Sequence, residues 1–333
     1  MELDRNSTIL VAGAGGFIGG HLVGRLLSDG FECVRGVDLK PLQEWYQVHP
    51  EIDARQSDLR IRENAYDAME NVRYVVNLAA DMGGIEFIEE NKALCMLSVL
   101  INTHLLEASR DTDVERFFFS SSACVYAAER QVEPNVVALK ESDAYPAMPE
   151  DGYGWEKLFS ERMCRHFRED FGLETRTARF HNIYGPYGAF RGGREKAPAA
   201  ICRKVAEAKR YGESCIEIWG DGEQTRSFTY IDDCLEGLLR AFSGEFVDPI
   251  NVGSNELLSI NQLVDIVEEI AGVSLERNYM MDAPTGVRGR NSDNTLIQEV
   301  FNWQPSVTLR KGIELTYRWV SDQVANSRPT FFG

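Results

Sequence analysis

Thr8-Ile9-Leu10-Val11-Ala12-Gly13-Ala14-Gly15-Gly16-Phe17-Ile18-Gly19 decides how the chain is read. Its first five residues are apolar or β-branched and predict a buried strand. Glycines follow at once. Beyond them Ile18, Leu22, Leu26 and Leu27 recur at helical spacing, and the pattern stops near Gly30. Strand, glycine turn, helix is the context of a phosphate-cradling loop. The small residues admit the backbone to a pyrophosphate, and the helix start offers N–H donors and the positive end of its dipole. The spacing is Gly13-x-x-Gly16-x-x-Gly19, not the commoner fingerprint, and such a triplet taken alone also fits a tight turn.

Working outward, Cys33-Val34-Arg35-Gly36-Val37 predicts a second strand ending at Asp38. A carboxylate about 20 residues past the turn is placed to hold a ribose hydroxyl and to repel a 2′-phosphate. This favours NAD over NADP, although Lys40 nearby weakens the discrimination. Asp58-Leu59 falls next in chain order, toward an adenine. Arg73–Ala80 reads as a buried parallel strand running into Leu78-Ala79-Ala80, small enough for a cofactor to lie on the backbone. Asp81-Met82-Gly83-Gly84 follows. A helix over 91–110 is expected to turn Leu94, Leu97, Ile101, Leu105 and Leu106 to one side. Strand 116–119, a helix near 153–171 and strand 175–180 continue the alternation. The expected fold class is α/β, a Rossmann-type doubly wound parallel sheet with a smaller, mixed α/β substrate-binding lobe. Residues 1–180 form the expected dinucleotide domain and 181–333 mainly the substrate lobe, with later segments, about 225–255, crossing back. In the second half, Ser259 and Gln262 form a capping-box pair opening a helix to about 271. A last amphipathic helix is expected over 310–324.

Two clusters carry chemistry. Ser120-Ser121-Ser122-Ala123-Cys124 sits where strand 116–119 gives way to a loop, the sheet edge at which ligands bind in open α/β folds. Tyr153 and Lys157 lie four apart and share a face if their segment is helical. A phenol near pKa 10 is a poor base at neutral pH, and a nearby ammonium favours its phenolate. Tyr-x-x-x-Lys alone is a common accident on helices. A single cysteine after a strand is usually a small buried hydrophobe.

Composition narrows the field. The formal charge of −17 argues against nucleic acid or an anionic membrane as partner. Seven cysteines without a C-x-x-C pair fit reduced, cytoplasmic thiols better than disulfides or zinc, and no metal is expected. The start, Met1-Glu2-Leu3-Asp4-Arg5, lacks the form of a signal peptide, and no apolar run reaches a membrane span.

Gly13-x-x-Gly16-x-x-Gly19, Asp38, the serine run and Tyr153-x-x-x-Lys157, in this order, resemble the extended short-chain dehydrogenase/reductase family over nearly the whole chain. Gly220-Asp221-Gly222-x-Gln224-x-Arg226 resembles its nucleotide-sugar lobe. The strings Ser122-Ala123-Cys124, Asp81–Gly84, Phe180–Pro186, 191–200 and 286–294 are longer and more specific, and they resemble the branch that inverts C3 and C5 of GDP-mannose. That resemblance implies an NAD-dependent isomerase and a homodimer. It implies Tyr153, Lys157 and Ser122 at C4, with Cys124 and Lys196 as the acid/base pair. It implies cofactor contacts from Gly13, Gly16, Phe17, Ile18, Gly19, Asp38, Asp58, Leu59, Leu78, Ala79, Ala80, Tyr153 and Lys157. Substrate contacts are implied for Met82, Gly83, Gly84, Ser122, Cys124, Asn182, Glu195, Lys196, Arg226 and Arg288, the last at the diphosphate. Arg191 and Arg194 are expected to lower the pKa of Lys196. The chain departs from the plant members of that branch at Ala127-Ala128-Glu129-Arg130, which replaces a Pro-containing continuation. A 4-epimerase of the same fold would need only Ser122, Tyr153 and Lys157. A non-catalytic NAD-binding protein usually lacks the Tyr or the Lys, and both stand here.

Overall fold

The computed structural model describes residues 3–326. In chain order the first elements are β1 (Thr8–Ala12), α1 (Phe17–Ser28), β2 (Val34–Asp38), β3 (Asp53–Gln56), α2 (Arg62–Ala68) and β4 (Val72–Asn77). There follow α3 (Ile85–Glu90), α4 (Lys92–Met96), α5 (Val99–Asp111), β5 (Arg116–Ser122), α6 (Tyr153–Phe171), β6 (Glu174–Phe180) and α7 (Ala197–Tyr211).

The apolar runs become interior strands. Ile9, Leu10, Val11 and Ala12 are fully buried, as are Val75, Val76, Phe117 and Phe118. They lie in a seven-stranded parallel sheet ordered Ile250–Val252, β6, β5, β4, β1, β2, β3. After β3 the chain returns to the other side of β1, so the order reverses between β1 and β4. That reversal opens a crevice at the carboxyl ends of the strands, where ligands bind in such sheets. Helices cover both faces and bury two large apolar cores, one including Leu22, Leu26, Phe118 and Phe242, the other Leu10, Val75, Leu105 and Phe117. The seventh strand, Ile250–Val252, comes from far down the chain and pairs with β6.

Smaller sheets build the rest. Thr225–Ser227 pairs with Leu257–Ser259 on one side and Gly289–Arg290 on the other, and Cys215–Trp219 pairs in parallel with Glu276–Met280. Ser259 and Gln262 form the reciprocal capping box of helix Ile260–Ala271, Gln262 N donating to Ser259 Oγ at 3.1 Å. The last helix spans Leu309–Asn326.

One expectation fails. The single helix expected over 91–110 is two, α4 and α5, with α3 ending just before it. Asn91 leaves helical geometry at φ −123° and ψ 39°, and a second interruption falls at Leu97–Ser98. The break turns Leu97 outward, 47% exposed, while Cys95 and Ser98 face in. Ser98 Oγ accepts a hydrogen bond from Asp81 N at 2.9 Å, so the interruption tethers the loop after β4. Among the described residues no helix is long and apolar enough to cross a membrane.

Candidate active site

The crevice between β1 and β4 is shaped for a dinucleotide. Gly13 has φ +85°, a left-handed conformation costly for other residues, and a Cβ there would meet Ala79 N at 2.9 Å. A Cβ at Gly19 would stand 2.1 Å from Gly13 O. The glycines thus let α1 start hard against the turn, and no side chain caps its first N–H groups. Those donors remain for an anion. Asp38 is the last residue of β2, and its carboxylate accepts from Gly15 N at 3.0 Å and Lys40 N at 2.9 Å. Phe17 and Ile18 open α1, and Leu78, Ala79 and Ala80 leave β4 beside the turn. These residues fit NAD. Asp58 is engaged by Arg60 at 2.8 Å, and Leu59 is buried.

At the end of β5 the three serines part company. Ser120 Oγ donates to Asn77 O at 3.0 Å, and Ser121 Oγ donates to Glu161 Oε1 at 2.5 Å. Ser122 instead caps a single 3₁₀ turn, its Oγ accepting from Cys124 N at 3.2 Å. The turn aims Ser122 and Cys124 into a cavity that Tyr153 also lines. α6 starts close against it. Glu150 N donates to Cys124 O at 3.0 Å, and a Cβ on Gly154 would sit 2.3 Å from that same oxygen.

Ser122 and Tyr153 face the same cavity. Burial holds the Tyr153 phenol well above the usual value, Cys124 and Glu156 push the same way, and Ser122 pulls it down. Lys157 lies one helical turn on, fully enclosed, with Nζ 4.6 Å from the Phe119 ring centroid, 5.4 Å from that of Tyr153 and 3.7 Å from Glu156 Oε2. Among the groups of the chain itself, burial is the largest influence on the phenol.

The opposite wall of the cavity comes from later segments. Lys196 precedes α7 and lines the cavity with Glu195. Desolvation pushes the Lys196 ammonium below its ordinary value, and Cys124 opposes that shift. The cationic cluster expected from Arg191 and Arg194 is not the cause. Arg191 pairs with Glu207 at 2.5 Å, and Arg194 lies over the Phe87 ring at 3.8 Å and donates to Met82 O. The loop 191–196 docks on the one after β4: Gly84 N donates to Arg194 O at 3.1 Å, and a Cβ on Gly84 would meet Glu195 O at 2.4 Å. Met82, Gly83 and Gly84 line the cavity as a result. Glu195 accepts from Gly193 N at 2.8 Å.

Asn182 lines the cavity with φ +44° and donates Nδ2 to Ser227 O at 2.9 Å. Arg226 is also on the wall, its guanidinium donating to Thr225 O, Thr285 O and Val287 O. Burial lowers its pKa to about 10. Arg288 is not among the lining residues. It holds Asp221 in a two-pronged pair at 2.7 and 2.8 Å.

Sequence reasoning overlooked Arg290, Gln131 and Glu150. Arg290 is cross-strand partner to Arg226, buried, with Nη1 3.8 Å from Cys124 Sγ, Nε on Gln131 Oε1 at 2.7 Å and Nη2 ion-paired to Glu150. Arg290 stood in the quoted string 286–294, but nothing there distinguished it from Arg288. Residues 150 and 290 meet only in three dimensions.

The NAD dependent epimerase/dehydratase family model matches residues 9–253. GDP-mannose 3,5-epimerase 1 of Oryza sativa subsp. indica is 45% identical over 96% of this chain and 83% of its own length. The UDP-glucose 4-epimerase of Thermotoga maritima, solved with UDP-glucose, superposes with a TM-score of 0.85 at 26% identity, covering 95% of this chain and 99% of that one. The UDP-glucuronic acid 4-epimerase of Bacillus cereus, solved with UDP-glucuronic acid and NAD, gives 0.80 at 25% identity, covering 95% and 99%. With the glycine turn, the sheet reversal and the Ser122–Tyr153–Lys157 set all in place, this chain belongs to the NAD dependent epimerase/dehydratase family.

Proposed function

We propose that this protein is a GDP-mannose 3,5-epimerase, converting GDP-D-mannose to GDP-L-galactose and GDP-L-gulose. The observation that carries this reading is the meeting of Cys124 and Lys196 on one cavity with Ser122 and Tyr153. The 45% identity to the rice protein of that name supports it across nearly the full chain. A 4-epimerase has no use for a thiol and an amine facing the sugar.

Each residue type has a task in that reaction. Tyr153 Oη, steadied by Ser122 and acting as a phenolate that the Lys157 ammonium and a positive nicotinamide ring would favour, takes the proton of the sugar C4 hydroxyl and later returns it. Bound NAD supplies the hydride acceptor and donor at C4, so no net oxidation results. A C4 ketone acidifies the C–H bonds at C3 and C5, because the carbanion spreads onto oxygen. Inverting each centre requires a proton to leave one face and another to arrive on the opposite face. Cys124 Sγ and Lys196 Nζ divide that work. Desolvation lowers the Lys196 ammonium, which eases access to the neutral amine that a base needs. Asn182 and the Met82–Gly84 loop position the hexose, and Arg226 attends the diphosphate, with Arg288, off the cavity wall and paired to Asp221, reaching it only if that pair opens. Gly13, Gly16, Phe17, Ile18, Gly19, Asp38, Asp58, Leu59 and Leu78–Ala80 hold the cofactor, with Tyr153 and Lys157 at its reactive end.

The wider assignments follow. Residues 1–180 serve mainly the cofactor and 181–333 mainly the sugar nucleotide, with about 225–255 crossing back. A homodimer covers Met96, Leu97, Leu100, Trp155 and Phe159, large apolar residues exposed on α4, α5, α6 and the turn between the first two, helices which pack together. The seven cysteines are unpaired, in keeping with a cytoplasmic location.

Incubating the purified protein with GDP-mannose in D₂O, with NMR of the hexose, tests the reading. Deuterium at C3 and C5, with galactose- and gulose-configured products, is expected. Its absence from both carbons would remove the assignment, and a product changed only at C4 would replace it with a 4-epimerase.

A further inference from the structure

We propose that Glu150 is a positioning residue that shares the charge of Arg290 and so leaves Cys124 with a proton it can give as well as take. The use made of that proton rests on the epimerase reading above; the contact geometry does not.

Cys124 sits among cations. Arg290 Nη1 is 3.8 Å from its sulfur, and both Lys196 and Arg226 interact with it electrostatically. Tyr153 and Cys95 pack beside it. A buried guanidinium with no counter-charge would stabilise a thiolate strongly, because cations beside a cysteine favour its ionised form. A fixed thiolate could accept a proton at one carbon but would be a poor donor at the other. Glu150 alters that balance. Its carboxylate is ion-paired with Arg290 Nη2, and Gln131 Oε1 fixes Nε at 2.7 Å, so two of the three nitrogens are tied away from the sulfur. Only Nη1 faces Cys124. Glu150 stays in place because its own backbone N–H is bonded to Cys124 O at 3.0 Å. The carboxylate, the guanidinium and the thiol thus form a closed loop within one wall of the cavity, and all three residues line it.

The test reads the thiol directly, without sugar. Protein carrying NAD is treated with iodoacetamide across a pH series, and modification of the Cys124 peptide is followed by mass spectrometry, which separates it from the exposed Cys33 and Cys215. Glu150→Gln keeps an acceptor for Nη2 and removes the charge. The expected result is alkylation at least threefold faster at pH 7, with the half-maximal point moved to lower pH and the high-pH plateau unchanged, which separates charge from access. Arg290→Met is expected to slow it at least threefold. Glu150→Asp, which draws the carboxylate back by one methylene, gives the same direction as Glu150→Gln and stands in for it if that variant does not fold. A Glu150→Gln rate less than threefold above wild type, or below it, overturns the proposal. If alkylation accelerates while wild-type protein puts no deuterium into GDP-mannose, the substrate reading fails and this inference stands. Deuterium exchange with unchanged alkylation does the reverse.

Discussion

Gly154 is the second residue of α6, where helix propensity and packing pull in opposite directions. Replacing glycine by alanine inside a helix ordinarily gains about 1 kcal/mol. Here the new methyl would sit 2.3 Å from the Cys124 carbonyl oxygen and 3.1 Å from Pro149 Cβ. The obstacle is backbone, held by the Glu150 N–H at 3.0 Å, so it cannot rotate away as a side chain would. Restoring an ordinary contact requires about 1 Å of separation between α6 and the turn carrying Ser122 and Cys124. Overpacking of this kind costs about 1–3 kcal/mol, which cancels or exceeds the propensity gain. The larger effect is geometric. Tyr153 moves with the helix and Ser122 with the turn, and a displacement near 1 Å at reacting groups lowers rates by roughly 10²-fold. Gly154→Ala should therefore cut kcat for epimerisation by roughly 10²-fold, with NAD retained, as measured by deuterium entry into the hexose and by cofactor absorbance after denaturation. A kcat within threefold of wild type, or a Tm several degrees higher, would show that the close approach does not set the site.

Lys196→Met should abolish solvent exchange at one or both carbons while leaving NAD bound. Because desolvation lowers the amine, the ascending limb that a lysine base gives the wild-type pH–rate profile should lie at lower pH than an ordinary lysine would place it. Arg179 is fully buried with Nη2 2.8 Å from Glu161, so Arg179→Met strands a carboxylate. The expected loss is about 4 kcal/mol, seen as a Tm lower by roughly 6 °C in calorimetry. His181 is buried and held down to about 4, so the native state refuses a proton that the unfolded chain accepts near 6.5. Stability should fall as pH drops from about 6.5 toward 4, by up to about 3 kcal/mol from this group, and urea midpoints of His181→Gln should lose that part of the slope.

What could be read in the sequence was local. Gly13–Gly19 and Tyr153–Lys157 each carry their meaning within seven residues, since a turn or a helical face is fixed by near neighbours. The broken helix shows the limit of that reading. Leu97 matches the apolar period, but Ser98 answers to Asp81 in another loop, and the spacing of leucines contains no trace of that bond. Lys196 shows a second limit. Neighbouring arginines were visible, whereas the depth that actually lowers its pKa belongs to the folded cavity. The pairing of Glu150 with Arg290 combines both limits, joining residues far apart in sequence through charge and burial together.

Polar contacts, not apolar packing alone, hold the end of β5 in place. Behind the Ser122–Cys124 turn, Glu161 binds Arg179 and Ser121, while Arg179 reaches Glu141 O at 2.8 Å. Tyr126 Oη donates to Asn251 Oδ1 at 2.6 Å, and His181 Nε2 faces the same atom at 3.0 Å. Asn251 lies in the seventh strand and also donates to Leu139 O and Asp293 O. Apolar side chains tolerate small shifts, but a hydrogen bond weakens steeply with angle, so a fully buried network has few alternative arrangements. The network joins β5, β6, α6 and the seventh strand, elements that carry Ser122, Cys124 and Tyr153 or directly adjoin them. The late strand Ile250–Val252 is therefore more than an edge for the sheet. Through Asn251 it locks the turn that presents the thiol, which explains why a segment from the second half of the chain returns to the first.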